Sequence, residues 1–120
     1  MEVYKVPEFL IIHLKRFDHQ RNSLFGGTRK LTDHVDFPVH GLNMTPFLVE
    51  NKNKGGAPPL LYDLYAVSNQ FGSLEGGHYT AFAKNGLYNK WFSFDDTDVS
   101  NCSEVQVVTK AAYVLFYRRR

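Results

Sequence analysis

At 120 residues the chain is long enough for one domain around a single core and too short for two. Its 14 Lys and Arg against 12 Asp and Glu leave a formal charge of +2, too balanced for nucleic acid or an anionic membrane to be the main partner, so a protein partner is expected. One cysteine excludes an internal disulfide, the start Met1-Glu2-Val3-Tyr4-Lys5-Val6-Pro7 lacks a secretion signal, and no apolar run approaches a membrane span; the chain reads as soluble and intracellular.

An aromatic content of 15% favours strands. In chain order, Phe9-Leu10-Ile11-Ile12-His13-Leu14 is an apolar run of the kind that forms a strand buried on both faces. On such a strand His13 is expected to be a hydrogen-bonded core histidine. Arg21 to Lys30 is polar and turn-rich, a loop or hairpin tip. Val35 to Val39 reads as a short strand that Pro38 pushes to an edge. Asn51 to Pro59 reads as an exposed loop.

The pattern then becomes regular. Leu61 to Val67 predicts a strand, Ser68 to Gly77 a Gly-bearing loop, His78 to Lys84 and Lys90 to Asp95 two strands, and Ala112 to Arg118 a last one. Ser103 to Lys110 predicts one or two helical turns, with Ser103 as cap. The architecture expected is mainly antiparallel sheet, with no repeat and no linker between domains.

Asn85-Gly86 is a hairpin signal. With Asn85 to Tyr88 as the loop and Lys84 facing Asn89, paired residue numbers sum to 173. Phe82 then opposes Trp91, Thr80 opposes Ser93 and His78 opposes Asp95, all on one face. Tyr79 with Phe94 and Ala81 with Phe92 share the other face, which reads as core. Opposed residues have Cβ atoms roughly 4.5 to 5.5 Å apart, so Asp95 is expected to accept the His78 Nδ1–H and aim Nε2 outward, as the orienting acid of a nucleophile-base pair does. Asp96 would face Gly77 and point away from His78. Gly76-Gly77 either permit positive φ at the strand entry or allow another backbone to approach closely.

A nucleophile is harder to find. Cys102, in a polar segment without a Gly-rich turn, reads as an ordinary or partly buried thiol. Ser68, Ser73 and Ser93 lie in no nucleophile elbow. Asp33, His34 and Asp36 read as solvated turn residues rather than metal ligands, and Arg118-Arg119-Arg120 as a solubilising end.

Leu10-Ile11-Ile12-His13-Leu14-Lys15-Arg16-Phe17, Val35-Asp36-Phe37-Pro38, Tyr65-Ala66-Val67-Ser68-Asn69, Gly77-His78-Tyr79-Thr80-Ala81, Trp91-Phe92-Ser93-Phe94-Asp95-Asp96 and Ala112-Tyr113-Val114-Leu115-Phe116-Tyr117 resemble, in this order, the C-terminal part of a ubiquitin-specific protease catalytic domain. The resemblance covers almost the whole of residues 1–120. It implies an α+β, papain-like cysteine proteinase of finger, palm and thumb shape, of which this part is palm and mainly antiparallel β. The implied activity is hydrolysis of the isopeptide or peptide bond after the C-terminal glycine of ubiquitin. His78 would be the general base, Asp95 its orienting acid and Asp96 a supporting polar residue. Gly76, Gly77 and Tyr79 would line the channel for the ubiquitin tail, and Ser68 to Gly76 would be the mobile loop before the histidine.

The family's nucleophile sits in an N-terminal Cys box, and its finger zinc site, where present, uses two Cys-x-x-Cys pairs; neither is found in this sequence. The chain is therefore expected to pair with an N-terminal half and to be inactive alone, with no metal and no cofactor of its own. Ubiquitin and ubiquitinated proteins are the expected partners, in the cytoplasm or nucleus. The alternatives are a ubiquitin-binding module that no longer catalyses and, more remotely, an independent hydrolase built on Cys102 and His78.

Overall fold

The computed structural model describes residues 7–20, 27–31, 33–47, 59–73 and 76–120, and for 18–20 and 27–30 the backbone alone. Among the described residues nine strands run β1 Phe9–His13, β2 Phe17–Gln20, β3 Gly27–Lys30, β4 Leu42–Asn43, β5 Leu61–Phe71, β6 His78–Asn85, β7 Lys90–Asp95, β8 Asp98–Cys102 and β9 Ala112–Arg119. Seven form one sheet in the order β1-β9-β5-β6-β7-β8, with β4 also beside β5, while β2 and β3 form a separate hairpin. Every pairing is antiparallel. Among the described residues the helical elements are two 3-10 turns, Thr45–Phe47 and Glu104–Val107, and no helix is long and apolar enough to cross a membrane.

One face of the sheet carries the core. Tyr62, Leu64 and Val67 of β5 meet Ala112, Leu115 and Tyr117 of β9, and Trp91 joins them from β7. Strict alternation would turn Val67 away from Leu64, but the ladder to β9 shifts between Leu64 and Ala66, so both side chains stay inward. Phe37, Met44 and Val107 close the core from the connections.

Several expectations change here. The run Phe9 to Leu14 is buried on one face only: Leu10 and Ile12 pack against the core, whereas Phe9 and Ile11 are 52% and 63% exposed. The reason is position, since among the described residues β1 is an edge strand paired to β9 alone. His13 is consequently exposed rather than a core residue, its ring 4.5 Å from that of Tyr113 at 81°. Val35 to Val39 forms no strand. Phe37 is inserted into the core, the Tyr117 hydroxyl donates to the Pro38 carbonyl at 2.7 Å, and Leu64 N donates to the Val39 carbonyl at 2.8 Å. Burial pushes the Tyr117 phenol up to about 12.

The loop expected from Ser68 is shorter, because β5 continues to Phe71 against β6. Strand β8 went unread in the sequence, where its polar residues mask it; it is an exposed edge. The helical turn after Ser103 is present as a 3-10 turn, with Ser103 N donating to Gln106 Oε1 at 2.8 Å. Of the expected loops, residues 21–26 and 51–58 lie outside the described residues.

Arg16, 4% exposed, ties the connections to the sheet: its Nε donates to the Ala112 carbonyl at 3.0 Å and its Nη1 to the carbonyl of Asp33. Such a bond from a charged donor into a buried carbonyl is among the stronger single contacts in a small domain.

Candidate active site

The site is built on the β6-β7 hairpin. Its pairs are Ala81 with Phe94, Phe82 with Ser93, Ala83 with Phe92, Lys84 with Trp91 and Asn85 with Lys90, so residue numbers sum to 175. The expected register is therefore displaced by two. The cause is the turn: the Asn85 carboxamide Oδ1 accepts from Leu87 N at 2.9 Å and Tyr88 N at 3.3 Å, and Asn89 N donates to the Asn85 carbonyl at 2.7 Å. Asn85 thus stays in the ladder, the loop is Gly86 to Asn89, and the left-handed residue is Asn89 (φ 57°) instead of Gly86.

A displacement of two keeps every side chain on its face. His78 and Asp95 remain together, but as diagonal neighbours. The β6-β7 ladder ends at Ala81 and Phe94; His78 pairs onward with Phe71 of β5, and Asp95 with Asp98 across the turn to β8. Across this opening His78 Nε2 and Asp95 Oδ1 are 2.7 Å apart, with both side chains about half exposed. The expectation of an Nδ1 contact is corrected: diagonal neighbours are roughly 7–8 Å apart, farther than opposed ones, so the ring nitrogen farther from Cβ makes the bond. Nδ1 is the nitrogen left over.

The bond to Asp95 is the largest cause holding His78 above the ordinary histidine value; desolvation, the next largest, opposes it, and the charges of Asp95 and Asp96 add support. Asp96 also departs from expectation. Its φ of 53° breaks strand alternation, and a carboxylate oxygen lies within 4.8 Å of the ligand atoms of His78 and Asp95. It faces His78 rather than turning away.

Before the histidine, Gly72 turns the chain at φ 80°. Gln70 Nε2 donates to the carbonyls of Phe71 at 3.0 Å and Ser73 at 2.9 Å, and Gly76 N donates to Ser73 Oγ at 3.0 Å. A Cβ on Gly77 would lie 2.2 Å from Gln70 Nε2, 2.3 Å from the Ser73 oxygen and 2.5 Å from the Phe71 oxygen. The backbone that approaches Gly77 is thus its own loop. Neither Gly76 nor Gly77 has a positive φ, and a Cβ on Gly76 would make only ordinary contact, 3.5 Å from Ser73 Oγ.

The face assignment of the hairpin is reversed from the expected one. Trp91, on the His78 face, is 4% exposed, whereas Tyr79 and Phe94 on the other are 49% and 39% exposed. On that second face Tyr79 neighbours Tyr113, ring centroids 6.3 Å apart, and Tyr113 neighbours Phe17 at 5.9 Å. This aromatic shelf was missed in the sequence, where Phe17 and Tyr113 are remote in number and only strand pairing joins them.

The other candidates fall elsewhere. Cys102 pairs with Trp91 on β8, four residues, or about 13 Å of strand, from Asp95. It is half-buried, and burial pushes its thiol up. Ser73 accepts the Gly76 bond, while Ser68 and Ser93 sit within the ladders. Asp33, His34 and Asp36 form no group of three ligating side chains among the described residues.

Comparison with known proteins bears on all of this. Residues 1–117 match the family model described as ubiquitin carboxyl-terminal hydrolase. Ubiquitin carboxyl-terminal hydrolase 4 of Mus musculus is 50% identical over 119 residues, which is 99% of this chain and 12% of the relative. Ubiquitin carboxyl-terminal hydrolase 15 of Homo sapiens is 49% identical over 120 residues, 100% of this chain and 11% of the relative. Among solved structures, the SAGA Ubp8/Sgf11/Sus1/Sgf73 DUB module bound to ubiquitin aldehyde superposes with a TM-score of 0.87 at 36% identity, covering 99% of this chain and 26% of that one. A form of the same module bound to monoubiquitin gives a TM-score of 0.84, also at 36% identity, over 99% of this chain and 25% of that one. The chain thus spans about one eighth of the curated relatives and a quarter of the solved chains.

Proposed function

The chain belongs to the ubiquitin carboxyl-terminal hydrolase family, and we propose from this that it supplies the general base and orienting acid of a cysteine deubiquitinase whose nucleophile lies outside residues 1–120. The observation that carries the reading is the 2.7 Å contact between His78 Nε2 and Asp95 Oδ1 at the open end of the hairpin. With Nε2 given to Asp95, Nδ1 is free to take the proton of a cysteine thiol presented by an N-terminal half of the domain. The thiolate attacks the carbonyl of the last ubiquitin glycine. His78 returns the proton to the departing lysine amine, then activates the water that cleaves the thioester. Asp95 holds the ring and favours its charged form throughout; Asp96 adds negative charge beside it.

The ubiquitin tail would pass along Gly76, Gly77 and Tyr79, with Tyr113 and Phe17 continuing the aromatic shelf. Substrates in this reading are ubiquitin conjugates, and the setting is the cytoplasm or nucleus.

The test is complementation. Mixed with a separately produced N-terminal half, the chain should restore hydrolysis of a fluorogenic ubiquitin C-terminal conjugate, and His78→Ala should abolish it. Demonstrated association of the halves without hydrolysis would overturn the catalytic reading in favour of a module that only binds ubiquitin. Hydrolysis by the chain alone, lost in Cys102→Ala, would overturn it in favour of an independent hydrolase.

A further inference from the structure

Three ligating side chains converge where a proton-transfer pair alone needs two. His78, Asp95 and Asp96 each offer one ligand atom, all within 4.8 Å of one another, and all three residues are exposed. Asp96 reaches this position because its backbone takes φ 53°, folding the carboxylate back beside its neighbour's. Among the described residues Asp95 forms its ion pair with His78 and none with a Lys or Arg.

We propose that His78, Asp95 and Asp96 form a zinc-binding site. One imidazole nitrogen and two carboxylate oxygens are a donor set for a borderline divalent ion, since calcium and magnesium favour all-oxygen shells. Bond lengths near 2.0–2.2 Å require ligand atoms roughly 3.3–3.6 Å apart in a tetrahedron. The His78–Asp95 atoms, now 2.7 Å apart, need to part slightly, and Asp96 needs only to close from within 4.8 Å. Exposed side chains make such rotations easily. Three protein ligands leave the fourth position to water, the pattern of an open site.

The ion and the Asp95 hydrogen bond compete for Nε2. Zinc there removes the bond that orients His78 and withdraws electron density from the ring, so occupancy suppresses base catalysis. That consequence rests on the function proposed above; the binding itself does not.

Equilibrium dialysis of the 120-residue chain against zinc alone, with bound metal read by atomic absorption, counts ions per chain whatever its association state. One site is expected. Asp96→Asn should weaken it at least tenfold and His78→Ala should abolish it, whereas Cys102→Ser, and His40→Ala at the separate contact between His40 Nε2 and Glu104 Oε1, should retain it. Asn tolerates the left-handed backbone of position 96, so Asp96→Asn keeps the turn, and near-ultraviolet circular dichroism checks that each variant is folded. Zinc bound equally by the Asp96→Asn and His78→Ala variants, or no zinc bound by the unaltered chain, would overturn the proposal. In the complemented enzyme, zinc inhibition should weaken in parallel with binding in Asp96→Asn. Binding without inhibition would retain the site and remove its catalytic consequence.

Discussion

His78 Nε2 and Asp95 Oδ1 lie 2.7 Å apart although the two residues do not face each other in the hairpin. The contact spans a diagonal, which uses the ring's far nitrogen and leaves Nδ1 outside it. In the complemented enzyme, Asp95→Ala should lower kcat roughly 100-fold or more, within the range by which positioned proton transfer accelerates reactions. Asp95→Asn should lose less, because its side-chain carbonyl can still accept from Nε2–H. Equal losses in the two variants would count against an orienting role.

The same contact sets a proton equilibrium. Bonding to Asp95 raises the His78 pKa, so its stabilising effect is complete below the unfolded value near 6.5. It is lost as pH rises through the folded value. A nuclear magnetic resonance titration of the His78 ring, with a chelator present, should show a pKa that falls in Asp95→Asn. An unchanged midpoint would remove Asp95 as its cause.

Gly77→Ala places a methyl 2.2 Å from Gln70 Nε2 and 2.3 Å from the Ser73 carbonyl oxygen. Relief requires moving backbone, at a cost of about 1–3 kcal/mol. Gly86→Ala, with nothing within 4 Å of its Cβ, should be nearly neutral. Urea denaturation of the two variants compares them directly, and equal midpoints would show that the loop does not pack against Gly77.

At the other end of β5, Asp63 Oδ2 lies 3.0 Å from Arg120 Nε, and Gly41 N donates to Asp63 Oδ1 at 3.1 Å. Burial, the largest single influence, raises this carboxyl, but the Arg120 and Gly41 bonds together with the Arg120 and His40 charges outweigh it and hold the carboxyl below its ordinary value. Its contribution is therefore present above the unfolded value near 3.9 and lost as pH falls through the folded one. Arg120→Ala should flatten the acid limb of a stability-pH profile, modestly because the pair is exposed and screened. An unaltered acid limb would show that the pair contributes nothing there.

The sheet face opposite the core carries Phe9, Ile11, Tyr79 and Phe94, from 39% to 63% exposed. Large apolar side chains exposed on one sheet face drive association. Sedimentation velocity of the chain alone should show concentration-dependent self-association, reduced by Ile11→Lys. A clean monomer throughout would mean the face is tolerated in water.

Much of this protein was legible as a sequence because it rests on local rules. β7 was read with its bounds unchanged, β6 and β9 to within one residue, and β5 at its start, from alternation and flanking Gly and Asn. The pairing of His78 with Asp95 survived a register error because side-chain period is two, and the error was two. The tertiary structure decided which face is core, since amphipathic strands rich in aromatics on both sides do not declare it. It also decided that β1 is an edge, that Asp96 turns toward His78, that Nε2 makes the bond, and that Phe17 and Tyr113 stand beside Tyr79. Each of these depends on contacts between residues far apart in number, and sequence spacing carries no measure of them.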